Sequence, residues 1–319
     1  MNGRVRSTWA QSSHALNTYE RNLRSTAMKS GVDAVLQMSD YGQIADRPFF
    51  LYQDLSRRMI LRRFTDESAL PGEFNGISMK HLAEGAKRQQ EIYQRAAAVF
   101  CMSEWLRADL VAGGVEPSRA VVVPPGINVD VERVGESRRS GPRSRLVIIG
   151  TEPIRKGLLE VLTALPLVRQ SIRDAQLTVV GPSVWPVQGD VPDGVDFVGN
   201  LSRRGVADVL ARSDLLVMPS RWEGFGMAFA EALVAGVPCI GRNDCAMPEI
   251  IEPPKYGRVV GGPDSPVPPD ELADAIVTAL RDDALFERVA ADRDLLADRF
   301  SWRRSAEAMT SVIRSELQG

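Results

Sequence analysis

The sequence predicts the α/β class, with two doubly wound parallel-sheet units in series, and three observations carry that prediction. Short β-rich apolar runs alternate with longer helical runs along most of the chain. The alternation breaks once, between Pro124 and Arg145, in a charged and polar stretch opened by Pro124-Pro125-Gly126. At 319 residues the chain is long enough for two domains of ordinary size.

In the first unit, taken as 1–125, the apolar runs Ala34–Met38, Phe49–Tyr52, Ala98–Met102 and Ala120–Val123 read as strands. A polar amphipathic stretch, about Ser78 to Arg95, reads as a helix, and Ser103 followed by Glu104 has the capping chemistry of another. A doubly wound unit normally opens with a buried strand and a glycine turn. Here the first residues are polar and helix-like, so the N-terminal unit is expected to lack its first strand.

Residues 126–144 form the expected linker, and 145–300 the second unit. Strands are expected at 145–149, 176–180, 195–198, 214–218, 237–240 and 257–260. Helices are expected near 156–170, 202–212, 226–235, 246–251 and 269–281, with Pro166 kinking or ending the first of them. Two more helical stretches, about 283–298 and 302–317, follow, and the closing helix in 301–319 is expected to pack back towards the first unit.

Composition narrows the function. Hydrophobic residues at 44% and charged residues at 25% are those of a globular protein. A net charge of −2 argues against nucleic-acid binding, which draws on a dominant basic surface, although Arg57, Arg58, Arg62 and Arg63 form a local basic run. Cys101, Cys239 and Cys245 show no CxxC spacing and lie in or beside apolar stretches, as buried thiols of a reducing cytoplasm do. Only His14 and His81 accompany them, which disfavours a zinc site. No run reaches the ~20 apolar residues of a membrane span. The first residues also lack the apolar core of a signal peptide, so a cytoplasmic protein is expected, with peripheral contact to a membrane surface left open.

The most informative segment is Pro219-Ser-Arg-Trp-Glu223-Gly-Phe-Gly-Met-Ala-Phe-Ala-Glu231-Ala-Leu. A strand ends near Pro219, a loop carries Glu223 and two glycines, and a helix starts near Gly226. Glycines let a backbone approach a ligand closely, and a helix start offers N–H groups and the positive end of a dipole. Such a seat suits a diphosphate or a sugar hydroxyl, and two carboxylates can accept from different parts of a polyol. Gly-Phe-Gly alone could equally be a tight turn, and Glu231 alone an acid favoured near a helix N-terminus; the string as a whole, set between strand and helix, is more specific.

Glu223-x7-Glu231 with Gly-Phe-Gly inside resembles the signature of the retaining GT-B glycosyltransferases of family 4, the "glycosyl transferases group 1" type. The likeness continues through Gly236-Val-Pro238-Cys-Ile and Met247-Pro-Glu249-Ile, and upstream through Ala98–Ser103 and Val123–Asn128. Trp302, in Phe300-Ser-Trp, sits where that family begins its closing helix. The resemblance covers roughly residues 95–317 and implies the GT-B arrangement of two Rossmann-like domains, with the nucleotide-sugar donor in the C-terminal one.

It also implies roles. Glu231 would bind the donor ribose, and Glu223 the hydroxyls of the transferred sugar. The N–H groups of Phe225, Gly226 and Met227 would meet sugar and diphosphate, while Val198, Asn200 and Leu201 would flank the base. The loop Gly150-Thr-Glu-Pro-Ile-Arg-Lys156-Gly157 is the second site, because a cation placed where the departing diphosphate gains charge is worth most there. The family has an Arg where this chain has Thr151, and Arg155, beside Lys156, is the candidate replacement. Cations at a helix start are disfavoured without an anion to meet them.

On the acceptor side the family often carries a His, absent from Leu51-Tyr-Gln-Asp54-Leu-Ser; Asp54 is the candidate there, with an ordinary loop acid as the alternative. Asp292-x-Asp294 reads as a solvated helix face, and no metal or other cofactor is assigned. The expected activity is transfer of a sugar, with retention, to a hydroxyl of a glycan, lipid or small molecule. A non-catalytic nucleotide-sugar-binding partner of a larger assembly is the alternative, motivated by the missing strand and His.

Overall fold

The computed structural model describes residues 13–318 other than 41, 45, 68–69, 71–73, 75, 130–140 and 264. The chain divides into two compact units, one of residues 1–124 with 305–319 and one of residues 125–304. Most of the expected linker, 130–140, lies outside the described residues.

The first unit runs α1 (Ser13–Ser30), β1 (Val35–Gln37), β2 (Phe49–Gln53), α2 (Arg57–Arg63), α3 (Met79–Arg95), β3 (Ala98–Cys101), α4 (Glu104–Ala112) and β4 (Ala120–Val122). Its four strands are parallel and ordered β1-β2-β3-β4, the order of the chain itself. β2 and β3 are central and wholly buried, which is why both read as unbroken apolar runs. Ser56, Ser78 and Ser103 cap α2, α3 and α4 by accepting from the N–H three residues on. The basic run on α2 is drawn into ion pairs, Arg57 with Asp40 at 3.3 Å, Arg58 with Asp109 at 3.1 Å and Arg62 with Asp109 at 3.3 Å.

The second unit runs β5 (Arg145–Ile149), α5 (Leu158–Ser171), β6 (Gln176–Val180), β7 (Val195–Gly199), α6 (Arg203–Arg212), β8 (Leu215–Val217), α7 (Met227–Val234), β9 (Cys239–Arg242), α8 (Met247–Ile251) and β10 (Gly257–Val260). Helices α9 (Pro269–Arg281), α10 (Asp283–Ala291), α11 (Arg293–Arg299) and α12 (Trp302–Gln318) complete the chain. Six parallel strands are ordered β10-β9-β8-β5-β6-β7. The chain lays β5, β6 and β7 in one direction, then returns to the other side of β5 with β8. The junction of β5 and β8 is therefore a topological switch point, where open α/β sheets bind their ligands beyond the carboxyl ends of the strands.

One detail meets the sequence expectation and another departs from it. The helix expected near 156–170 is α5, which runs through Pro166 to Ser171, with Val161, Ala164, Leu165 and Val168 buried on one side and Pro166 itself exposed. The packed stripe on both sides of the proline outweighs one lost backbone bond. The stretch expected as one helix over 283–298 is two, α10 and α11, meeting at Asp292. The Asp292 carboxylate accepts from Tyr256 Oη at 2.8 Å and faces Lys255 Nζ at 3.5 Å, so it is a tether to the β10 entrance rather than part of a solvated face, whereas Asp294 is exposed.

From Ser305 onward α12 belongs to the first unit. Met309 joins Phe50, Tyr52, Ala98, Phe100 and Val123 in one buried cluster, against which Val312 and Ile313 pack. Ser305 Oγ donates to the Pro124 carbonyl at 2.6 Å, anchoring the returning helix to the end of the outgoing strand segment.

Candidate functional site

The site is built at the carboxyl ends of β5 and β8, in the second unit. After β5 the chain turns at Gly150, whose φ of +157° favours glycine and where a Cβ would crowd the Lys156 side chain, meeting Cε at 2.9 Å. Lys156 thus lies back over Gly150 instead of extending away, its side chain 12% exposed. After β8 the loop of residues 218–226 carries Glu223, whose side chain is 6% exposed. Lys156 Nζ donates to Glu223 Oε1, and Arg155 Nη1 stands 3.6 Å from the same oxygen. Burying a carboxylate this deeply is costly without such partners.

Arg155 also braces the loops against each other. Its Nη1 donates to the Trp222 carbonyl, its Nε to Glu152 at 3.0 Å, and its own carbonyl accepts from the Arg221 N–H at 2.9 Å. Arg221 in turn reaches Glu160, on the first turn of α5, at 3.0 Å.

α7 opens at Gly226, which takes a φ of +95° and has no side chain to cap the first turn. A Cβ there would meet the Phe229 ring at 2.9 Å, so glycine is required twice over. Phe225 just before it is buried, its ring edge-on to Phe300 at 6.2 Å between centroids. Apart from Met227 and Glu231, the residues of α7 are all buried, so Glu231 is the one charged side chain the helix presents. Its Oε1 accepts from the Asn128 N–H at 3.4 Å. Burial raises the Glu231 pKa above the ordinary carboxylate value, opposed first by that hydrogen bond and then by the charge of Arg203.

Of the residues singled out in the sequence, Lys156, Arg155 and Glu223 are thus joined directly, Gly150 lies beneath Lys156, and Phe225, Gly226, Met227 and Glu231 lead from Glu223 into α7. Val198 and Leu201 are half-buried and Asn200 exposed at the carboxyl end of β7. Arg203, two residues beyond Leu201, brings that end within electrostatic range of Glu231. Thr151, standing where the resemblance would have an arginine, is exposed. Asp54, exposed beyond β2, is in the other unit.

Sequence reasoning missed Arg242. It ends β9 at 2% exposure and donates to the carbonyls of Pro219, Ser220, Gly262 and Ser265. The only trace in the sequence is a charge closing an otherwise apolar strand, Cys239-Ile-Gly-Arg242. Among the described residues, no group of three or more His, Cys, Asp or Glu is placed to hold a metal ion.

Residues 143–282 match the family described as glycosyl transferases group 1. The chain is 30% identical over 264 residues to the GDP-mannose-dependent alpha-(1-6)-phosphatidylinositol monomannoside mannosyltransferase of Mycobacterium tuberculosis, covering 76% of this chain and 67% of that protein. It is 31% identical over 209 residues to the phosphatidyl-myo-inositol mannosyltransferase of Mycobacterium leprae, 63% of this chain but only 52%, about half, of that relative's length. Among solved structures, WaaG, a glycosyltransferase involved in lipopolysaccharide biosynthesis, superposes with a TM-score of 0.70 over 94% of this chain and 84% of its own, at 19% identity. HepE of Anabaena, solved with UDP and glucose, gives 0.67 over 98% and 84%, at 16% identity.

Two parallel sheets with a polar loop cluster at a switch point define a protein of the GT-B glycosyltransferase fold class. The chain belongs to the glycosyl transferases group 1 family.

Proposed function

We propose that the protein transfers a sugar from a nucleotide diphosphate donor to a hydroxyl acceptor with retention at the anomeric carbon, and that the donor is held by the C-terminal unit. The observation that carries the reading is the meeting of Lys156 and Glu223 at the switch point, next to the uncapped start of α7. A diphosphate placed there meets the α7 N–H groups and the Lys156 ammonium, which compensate the charge it gains on leaving. Glu223, relieved of part of its ion pair, accepts from hydroxyls of the transferred sugar, and Glu231 from the ribose.

No side chain of the cluster is set up as a covalent nucleophile. The proposed step is a front-face displacement: the bond from anomeric carbon to phosphate oxygen breaks, the acceptor oxygen bonds the same face, and its proton passes to the departing phosphate. No metal is assigned to this step. Asp54 is the proposed acceptor-side residue. The names of the relatives make GDP-mannose the first donor to test and a phosphatidylinositol mannoside the first acceptor. No described helix is long and apolar enough to cross a membrane. We place the protein in the cytoplasm, meeting a lipid acceptor by peripheral contact.

Calorimetry with GDP-mannose and UDP-glucose, followed by transfer assays and NMR of the product's anomeric configuration, tests the reading. One nucleotide sugar is expected to bind wild type and to lose affinity in Glu223→Ala. Binding without any transfer would favour the non-catalytic partner, and an inverted product would overturn retention.

A further inference from the structure

We propose that Arg242 is a positioning residue for the donor site: its buried guanidinium sets the path of the loop that delivers Glu223. The proposal rests on the donor reading above but on different observations. Arg242 sits at the carboxyl end of β9, next to β8, with its side chain 3% exposed. Nε donates to Ser220 O at 3.1 Å and Nη2 to Pro219 O at 3.3 Å, the two carbonyls through which the chain leaves β8. Nη1 donates to Gly262 O at 3.3 Å and to Ser265 O, in the loop after β10. Glu160 Oε1, 4.0 Å from Nη2, is a nearby negative charge, and the same oxygen receives Arg221.

A planar guanidinium fixed by four carbonyls has no freedom to rotate. It therefore ties the take-off of the Glu223 loop to the loop after β10. The remainder of that loop is bound as well: Ser220 N–H to Met218 O at 2.7 Å, Arg221 N–H to Arg155 O at 2.9 Å, and Trp222 O to Arg155. From Pro219 to Trp222 the backbone is thus held by Arg242 on one side and Arg155 on the other, and Glu223 is the next residue. Lysine at 242 keeps the charge facing Glu160 but cannot hold carbonyls of two loops in one plane. Glutamine keeps neither.

The test compares wild type, Arg242→Lys and Arg242→Gln, with Val289→Ala in α10 as a control for general loss of stability. Three quantities are read: amide hydrogen exchange of segment 218–226, kcat with KM for the donor, and Tm. Misplacing a reacting group by an ångström can cost about 100-fold. On that scale kcat is expected to fall roughly 10-fold in Arg242→Lys and roughly 100-fold in Arg242→Gln, with donor KM within about threefold. The Arg221 amide should exchange at least about ten times faster in both variants, while β5–β7 stay protected. Val289→Ala should lose Tm with neither change.

Unchanged exchange at 218–226 in Arg242→Gln overturns the proposal, and so does wild-type kcat in a folded Arg242→Gln. So does a uniform loss across the sheet that Val289→Ala reproduces at equal Tm. Exchange reads the brace without a donor, so a wild type that binds no nucleotide sugar would overturn the donor reading separately.

Discussion

In the unit of residues 125–304 the strand order doubles back beside β5, whereas in the other unit the described strands follow one another in chain order. Both sheets are parallel, and both carry polar residues at their carboxyl edges. In the first unit several of those residues pair with one another: Tyr93 Oη donates to Gln53, Asp40 holds Arg57, and Asp109 gathers Ser56, Arg58 and Arg62. In the second, β5 and β8 are neighbours in space but their connections leave in opposite directions, so the loops after them stand side by side. Lys156 and Glu223, 67 residues apart in sequence, meet there in an ion pair. The lesson is that strand order decides which loops at a sheet edge can meet; the presence of charged residues does not.

Four experiments bear on that contrast. Lys156→Ala should lower kcat about 10²–10³-fold, the cost of removing one group that meets developing charge. It should also remove the nearer of the two cations, Lys156 and Arg155, that face the buried Glu223. Steady-state kinetics with thermal melting measures both effects, and turnover within threefold of wild type would break the assignment of chemistry to the switch point.

Asp214→Ala probes the opposite edge of the same sheet. Asp214 accepts from Ser144 N and from Arg145 N, Nε and Nη2, all at 2.9–3.1 Å. Chemical denaturation should show a loss of about 2–3 kcal/mol, the scale of hydrogen bonds to charged groups. kcat of the folded fraction should stay within twofold, and a larger fall would mean that the two edges are not separable.

Asp109→Ala, in the first unit, removes the acceptor of Ser56 Oγ at 2.6 Å and of Arg58 Nε at 3.1 Å. A loss of about 1–2 kcal/mol is expected, with nucleotide affinity by calorimetry unchanged. Altered affinity would mean that the first unit's polar edge shapes the donor site.

The smallest effect is in pH dependence. Because the folded Glu231 carboxyl holds its proton more tightly than the unfolded one, its contribution to stability is full below the ordinary carboxylate range and is lost as pH rises through the folded value. Nucleotide binding that uses the carboxylate runs the other way and weakens as pH falls through that same raised value. Glu231→Gln should flatten the binding profile over this window. A profile unchanged in Glu231→Gln would remove Glu231 from the ribose contact.

The sequence made much of this legible because parallel α/β units announce their strands as apolar runs, and all ten expected strand segments hold strands. Glu223, the two glycines and Glu231 stood out because they share one short segment. Lys156 was readable from its glycine-flanked loop, although its partner was not, since that depends on strand order and not on spacing. Arg242 and Glu160 went unseen for a related reason. A guanidinium that binds carbonyls has no partner residue type to search for, and Glu160 reads as an ordinary acid in a first helical turn. At Pro166 the sequence left kink and end open, because local propensity does not weigh the packed stripe around it. Asp292 misled because its tether, Tyr256, is 36 residues away.

The seating of Met309, Val312 and Ile313 against Phe50 and Phe100 has a consequence for biosynthesis. The first unit takes one of its structural elements from residues 305–318, which follow the second unit in the chain. A ribosome must therefore complete residues 125–304 before that unit's apolar surface is covered, and those residues can already have condensed by then. A stop codon just after residue 304 should accordingly damage the unit that was translated before residues 125–304.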